Sequence, residues 1–282
     1  SVYPLLDKES KDSYRRKLQE FSKKIGKKER ETAVELLKRS RKEKEGKSGQ
    51  IGGYLFKEKK NNFYFPVLEI ISGLFLFSVA LITQNVFLFL LSGIPTLLSA
   101  KSFCDSIFSR AVKPELLPKI EITEENCPHT LVTIVSMISQ KKDADKLLHR
   151  LDVLSERIAV QKIQIGLLLD FPASKVEICE EEADLLSYIE QEISNRNRSK
   201  ERFFCAVRKR NFVEEEFCFE AFGRKQGAMM DFCKLIAGEE NGFSLAIGNF
   251  DNAEYFVSLD SDTEPTPGSI ESLIGFVEHP TH

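Results

Sequence analysis

Hydrophobic and polar positions change their spacing twice along this chain. Within SKDSYRRKLQEFSKKIG and ETAVELLKRSRKEKEG, between residues 10 and 45, apolar positions recur at helical intervals while basic residues fill the other faces. This predicts two helices with a thin apolar stripe. Polarity then nearly vanishes, because from Asn61 to Ala100 forty residues contain one charge, Glu69. Phe63 to Thr83 is apolar for about the 20 residues that a helix needs to cross a bilayer core. Gln84 and Asn85 interrupt the run, and Val86 to Ala100 continues it for roughly 22 Å of helix. That second arm reads in two ways. It crosses by borrowing Phe103, Ile107 and Phe108, or it crosses partway and bends at Pro95 into an interfacial helix ending near Pro114. A buried hairpin of a soluble protein is the weaker reading, since soluble helices are rarely apolar on every face.

After Pro118 the period alternates between two and 3.6. Strands are predicted at Leu131 to Met137, Ile163 to Leu169, Phe203 to Val207 and Tyr255 to Leu259, with a hairpin strand at Phe217 to Phe222. Helices are predicted at Ala144 to Ile158, which places Leu147, Leu148, Leu151 and Leu154 on one face, at Glu180 to Asn195 and at Gln226 to Ala237. Strands separated by helices of this length imply a mostly parallel sheet in a three-layer α/β domain. The expected division is a basic helical arm over 1–62, a transmembrane hairpin with an interfacial helix over 63–114, and an α/β domain over 115–282.

Composition changes this picture little, but charge adds direction. Hydrophobic residues make up 42% and charged residues 29% of 282, which excludes a disordered or collagenous chain. Residues 1–62 carry 19 Lys+Arg against 10 Asp+Glu, and the remainder carries 21 against 33. Lys57, Lys59 and Lys60 precede the apolar run, while Lys101, Arg110 and Lys113 follow it, so both flanks are expected in the cytosol. The basic arm reads equally as a lipid-headgroup contact or as a solvated helical pair. Nucleic acid is disfavoured, because few aromatics interleave with the basic residues. The six cysteines are widely spaced, with no C-x-x-C pair, and read as small buried apolar residues.

Candidate chemistry lies at strand ends, since ligands of such sheets bind beyond the carboxyl ends of the strands. Asp170 ends IQIGLLL, and Asp260 and Asp262 end YFVSL. Two carboxylates one residue apart are hard ligands suited to Mg²⁺ or Mn²⁺, with diphosphate oxygens completing the shell. Phe222-Gly223-Arg224-Lys225-Gln226-Gly227-Ala228 opens a helix, where basic side chains and free N–H groups suit a diphosphate. Arg208-Lys209-Arg210 is similar, although a solvated basic turn is its favoured reading. His279 and His282 read as ordinary terminal residues.

The order LVTIVSM, IQIGLLLDF, RFFCAVRKR, GRKQGAM and YFVSLDSDT, followed by a Pro-rich turn and IESLIGFVEHP, resembles the glycosyltransferase region of bacterial cyclic β-1,2-glucan synthases. The opening SVYPLLDKESKDSYRRKLQEF and the step Gly52-Gly53-Tyr54-Leu55 resemble that family too. The resemblance implies a GT-A-like, Rossmann-type nucleotide-sugar domain and a multi-pass protein of the bacterial inner membrane. It further implies UDP-glucose as donor, a glucan acceptor, a divalent cation and inversion at the sugar. Carried onto this sequence, it implies Asp170 near the uridine, Arg224, Lys225 and Gly227 near the diphosphate, and Asp260 and Asp262 on the metal. Phe171-Pro172-Ala173-Ser174 stands where the family has a second acid. Only twenty residues follow Asp262, so the α/β domain is expected to be an incomplete donor half whose catalytic base lies beyond residue 282. The competing expectations are another processive membrane glycosyltransferase and a noncatalytic membrane-anchored α/β binding module.

Overall fold

The computed structural model describes residues 2–42, 51–56, 63–111, 117–198, 201–239 and 242–280. It divides into two units, Ser1–Pro118 with His279–His282, and Lys119–Glu278.

In the first unit, α1 (Lys8–Ile25) starts at Asp7, whose side chain accepts from Ser10 N at 2.8 Å, and stops at Gly26 with φ 68°. A left-handed glycine is a common helix terminator. α2 (Glu29–Lys42) and α3 (Ile51–Leu55) follow. The predicted thin stripe proves largely polar, because Ser10, Ser13, Ser22 and Thr32 are buried beside Tyr14 and Leu36. The Tyr14 ring also meets Phe56, and its hydroxyl lies 3.1 Å from Nε2 of His279, which is buried. His279 is therefore a packed residue rather than a loose terminal one, while His282 lies outside the described residues.

α4 (Tyr64–Thr83) and α5 (Val86–Ala111) form the apolar hairpin. Gln84 takes the left-handed conformation at the turn, and Asn85 Oδ1 caps α5 by accepting from Phe87 N and Leu88 N. At 1.5 Å per residue α4 spans about 30 Å, the thickness of a bilayer core. α5 runs unbroken through Pro95, so among the described residues there is no separate interfacial helix after that proline. Thr96, Ala100 and Cys104 are buried in α5 at four-residue intervals, a small-residue seam that brings the two helices close. A polar cluster closes the base, where Tyr64 donates to Asp105 and Lys101 pairs with Asp105 at 2.8 Å. Phe65, Ile70, Leu74, Phe77, Leu81 and Ile82 are exposed, the reverse of a helix buried in a soluble core. Both helices are long and apolar enough to cross a membrane. The flanking Lys57, Lys59, Lys60 and Lys113 lie outside the described residues.

The second unit is a mixed α/β layer structure. β1 (Thr130–Met137), α6 (Lys141–Arg157), β2 (Gln164–Asp170), α7 (Glu180–Arg196) and β3 (Phe203–Arg208) alternate as expected. A small hairpin, β4 (Asn211–Val213) with β5 (Cys218–Glu220), precedes α8 (Arg224–Ile236), and β6 (Phe243–Ile247), β7 (Tyr255–Asp260) and α9 (Ser269–Val277) complete it. The sheet runs β6-β3-β2-β1-β7, parallel except for β6, which pairs antiparallel with β3. Alternation along β2 sends Ile165, Leu167 and Leu169 to one core with Leu147, Leu151, Ile189 and Ile274, and Leu168 to another with Ala228 and Phe232. The sheet is thus covered on both faces, by α6, α7 and α9 on one and α8 on the other.

From β1 the chain steps outward to β2 and β3, then returns to add β7 on the other side of β1. That reversal opens a crevice at the carboxyl end of β1, the place where open α/β sheets bind ligands.

Candidate functional site

Asp170 and Asp260 are the last residues of β2 and β7, the two strands that flank β1. Asp170 is in register with Met137 and Asp260 with Val135, so both carboxylates border the same crevice. Their environments differ. Asp170 is 7% exposed, whereas Asp260 and Asp262 are exposed.

Burial pushes the Asp170 carboxyl above the usual range, opposed by the charge of Arg208 and its hydrogen bond. Arg208 ends β3 and is itself buried. Its Nη1 donates to Asp170 Oδ2 at 3.1 Å and to Arg224 O at 3.2 Å, Nη2 to Phe222 O at 2.6 Å, and Nε to Asp231 Oδ2 at 3.0 Å. Asp170 Oδ1 is buried and has no hydrogen-bond partner among the described residues.

The turn before α8 is drawn against this network. Gly223 has φ 76° and Arg224 φ 44°, an uncommon conformation for a residue with a side chain. Among the described residues no side chain caps the helix at Gly223 and no acid occupies its first turn, which leaves the positive end of the helix open. Gly227 packs its bare Cα against this turn, since a Cβ there would lie 2.0 Å from Phe222 O and 3.0 Å from Arg208 Nη2. Lys225 reaches from the first turn of α8 to Oδ1 of Asp260. The structure therefore gathers Asp170, Gly227, Lys225 and Asp260 around one crevice, with the backbone of Arg224 tied to Arg208.

The segment after each acid is strapped down. Phe171 is buried under the Arg210 guanidinium, which donates to Pro172 O and Glu177 O and pairs with Glu182. Ser174 bridges to Phe219 of the hairpin. After Asp262, Arg150 donates to Thr263 O at 2.9 Å and Arg157 to Pro265 O at 3.1 Å. Asp260 and Asp262 carry carboxylates one residue apart, the hard oxygen type suited to a divalent cation, and Asp260 already pairs with the cationic Lys225. Among the described residues no third His, Cys, Asp or Glu joins them at ligand spacing.

Arg208 and Asp231 are the residues that sequence reasoning missed. Arg208-Lys209-Arg210 reads as a solvated basic turn, yet Arg208 and Arg210 are buried and only Lys209 is exposed. The strand-end rule that selected the acids would have selected Arg208. The cysteines also divide, because Cys104, Cys127 and Cys205 are buried, whereas Cys179 and Cys218 are partly exposed and Cys233 is exposed. Burial pushes the Cys205 thiol up to about 12.

No family model matches the chain. The cyclic β-(1,2)-glucan synthase NdvB of Rhizobium meliloti (strain 1021) is 26% identical to it over 205 residues, which are 70% of this chain and 7% of that protein. The chain thus spans a small part of the relative's length. Over most of its own length it is similar to a cyclic β-(1,2)-glucan synthase, which supports the family relationship read from its motifs.

Proposed function

We propose that the α/β unit binds the nucleotide-sugar donor of a membrane glucosyltransferase that builds β-1,2-glucan from UDP-glucose, with the fold of a GT-A enzyme. The relative's name supports the reaction class. The observation that carries the site is the buried, unpartnered Oδ1 of Asp170 at the crevice. A buried acceptor without a donor costs about 1–3 kcal/mol, and the N–H of a uracil ring supplies the missing donor.

In this reading Asp170 accepts from the base, while Lys225, Arg224 and the open N–H groups of α8 hold the diphosphate. Asp260 and Asp262 hold Mg²⁺ or Mn²⁺, which when bound neutralises charge on the departing nucleoside diphosphate. The Lys225–Asp260 pair is exposed and therefore worth only about 0–1 kcal/mol. It yields readily, Lys225 to phosphate oxygens and Asp260 to the cation. Gly227 lets the turn approach closely. The acceptor hydroxyl attacks in line from the opposite side of the sugar and inverts the anomeric centre. The apolar hairpin anchors the unit in the inner membrane, with the α/β unit in the cytosol beside the UDP-glucose pool.

Equilibrium binding of UDP and UDP-glucose to the purified protein, with and without Mg²⁺ or Mn²⁺, tests this. Wild type should bind UDP more tightly with the cation. Asp260→Asn and Asp262→Asn should remove that enhancement, and Asp170→Asn should weaken binding about tenfold or more while keeping it. Failure of the wild type to bind UDP, or binding indifferent to the cation and to all three substitutions, would overturn the assignment.

A further inference from the structure

We infer that Arg208 is a positioning residue of the nucleotide site, which fixes the free oxygen of Asp170 and the strained turn of α8 through one guanidinium. The inference rests on the nucleotide-sugar reading above and extends it to a residue that would touch neither base nor phosphate.

Three observations carry it. First, Arg208 spends its N–H groups on four acceptors from three places: Asp170 at the end of β2, Asp231 within α8, and the carbonyls of Phe222 and Arg224 where the turn after β5 enters α8. A guanidinium is a planar fork with fixed donor directions, so moving one of these acceptors moves the others. Second, Arg208 meets only one oxygen of Asp170. Arginine–carboxylate pairs are frequently bidentate, yet here Oδ1 stays buried and unpartnered among the described residues while Nη1 divides its hydrogens between Oδ2 and the Arg224 carbonyl. Third, the backbone at the turn is held away from its relaxed state. Arg224 has positive φ, and its carbonyl is one of the atoms that Arg208 grips. Such outliers persist where the surroundings over-determine them.

The consequence is coupling. The acid that meets the base and the turn that meets the diphosphate are bolted to the same side chain, so base and diphosphate are recognised together rather than as separable contacts. Arg208 also favours the charged form of Asp170, against the larger opposing effect of burial. The groups that face Asp170 are Arg208 from β3 and Asp231 from α8, and burial and Asp231 both favour the neutral acid, with Arg208 as the opposing influence. Without the guanidinium Asp170 takes up a proton at a higher pH. A protonated Asp170 is a poorer acceptor for a ring N–H, so UDP binding in such a variant should strengthen as pH rises.

The test measures UDP binding to the full-length protein from pH 5.5 to 8.5 for wild type, Arg208→Lys, Arg208→Met, Asp231→Asn, Asp170→Asn and the Arg208→Lys/Asp170→Asn double variant. Arg208→Lys keeps the charge but not the fork and should weaken UDP at least tenfold. Asp231→Asn, which takes the charge from the far anchor of the guanidinium and also from the partner of Lys234, should weaken it in the same direction and less, because loosening the anchor outweighs the relief of like charge beside Asp170. The double variant should bind no more weakly than the worse single variant, because both changes damage one unit. In Arg208→Met the rise of affinity with pH should lie at higher pH than in the wild type. If Arg208→Met does not fold, the lysine and double variants still decide. Wild type that fails to bind UDP overturns the nucleotide reading and this inference with it. Wild type that binds, beside an Arg208→Lys variant that binds equally well or adds independently to Asp170→Asn, overturns the positioning role alone.

Discussion

One added methyl group at Gly227 sets two effects against each other. Alanine is the better helix former by about 1 kcal/mol, so on propensity alone Gly227→Ala, near the start of α8, should stabilise the protein. Its Cβ, however, would lie 2.0 Å from the Phe222 carbonyl oxygen and 3.0 Å from Arg208 Nη2. The oxygen belongs to the main chain and cannot swing aside, so the turn must retreat by roughly 1.4 Å to restore ordinary contact. That retreat breaks the 2.6 Å bond from Arg208 Nη2 to Phe222 O. Overpacking of this kind costs about 1–3 kcal/mol, and a hydrogen bond from a charged group contributes about 1.5–3 kcal/mol. After the propensity gain, a net loss of about 1.5–5 kcal/mol remains. For a unit of this size the melting temperature should fall by roughly 3–20 °C. Thermal unfolding of the purified protein in detergent reads the stability, and hydrogen exchange at residues 222–227 reads whether the loss begins in the turn. A melting temperature that holds or rises, with unchanged protection there, would refute the packing of Gly227 against this turn and the role given to Arg208.

Three further outcomes test other parts of the molecule. Arg202 is buried, has no carboxylate partner among the described residues and donates to the carbonyls of Ser155, Ile158, Val160 and Ile163, so Arg202→Met should cost about 2–4 kcal/mol in denaturant unfolding by orphaning them. Ala100 is fully buried in the small-residue seam of α5. Ala100→Leu should force the hairpin helices apart and lower the melting temperature in detergent by an amount equivalent to about 1–3 kcal/mol, with UDP binding intact. Reporter fusions at Ser48 and at Lys119 should report the same side of the membrane, and opposite sides would mean that α5 does not return.

Much of this architecture is legible in the sequence because periodicity is a direct consequence of which faces are covered. β2 is buried along nearly its whole length and reads as an unbroken apolar run, while α6 buries Leu147, Leu148, Leu151 and Leu154 at helical spacing. β6 was missed for the opposite reason. It is a short edge strand whose residues alternate between partly buried and exposed, so only its pairing to β3 distinguishes it from a loop. Pro95 signals a break in a peptide taken alone, yet α5 continues past it, with Thr96 Oγ1 donating to Ser92 O and Ser99 Oγ to Pro95 O alongside. In the site, sequence placed the acids at strand ends but could not weigh their surroundings. Three consecutive charges at 208–210 look like a surface turn, because charge dominates the average. Extended backbone sends Arg208 and Arg210 one way and Lys209 the other, and that alternation was the available clue.

The contrast between Asp170 and Asp260 bears on how such a crevice works. Asp170 is buried, held by an arginine and lacking one partner, so its desolvation cost is met when the protein folds and a donor arriving at Oδ1 gains nearly a full hydrogen bond. Asp260 is exposed, and its lysine partner is exposed too, so that carboxylate remains largely hydrated, and in the proposed function its geometry would be set only when a ligand arrives. One end of the crevice is therefore preorganised and the other adaptable. Lys225 connects the two, because it stands in the first turn of the helix whose start Arg208 holds and ends on the acid of β7. A change at the buried end should thus be felt at the exposed end through the backbone of one helical turn. A change at Asp260, whose contact is a screened surface pair, should leave the Arg208 network where it is.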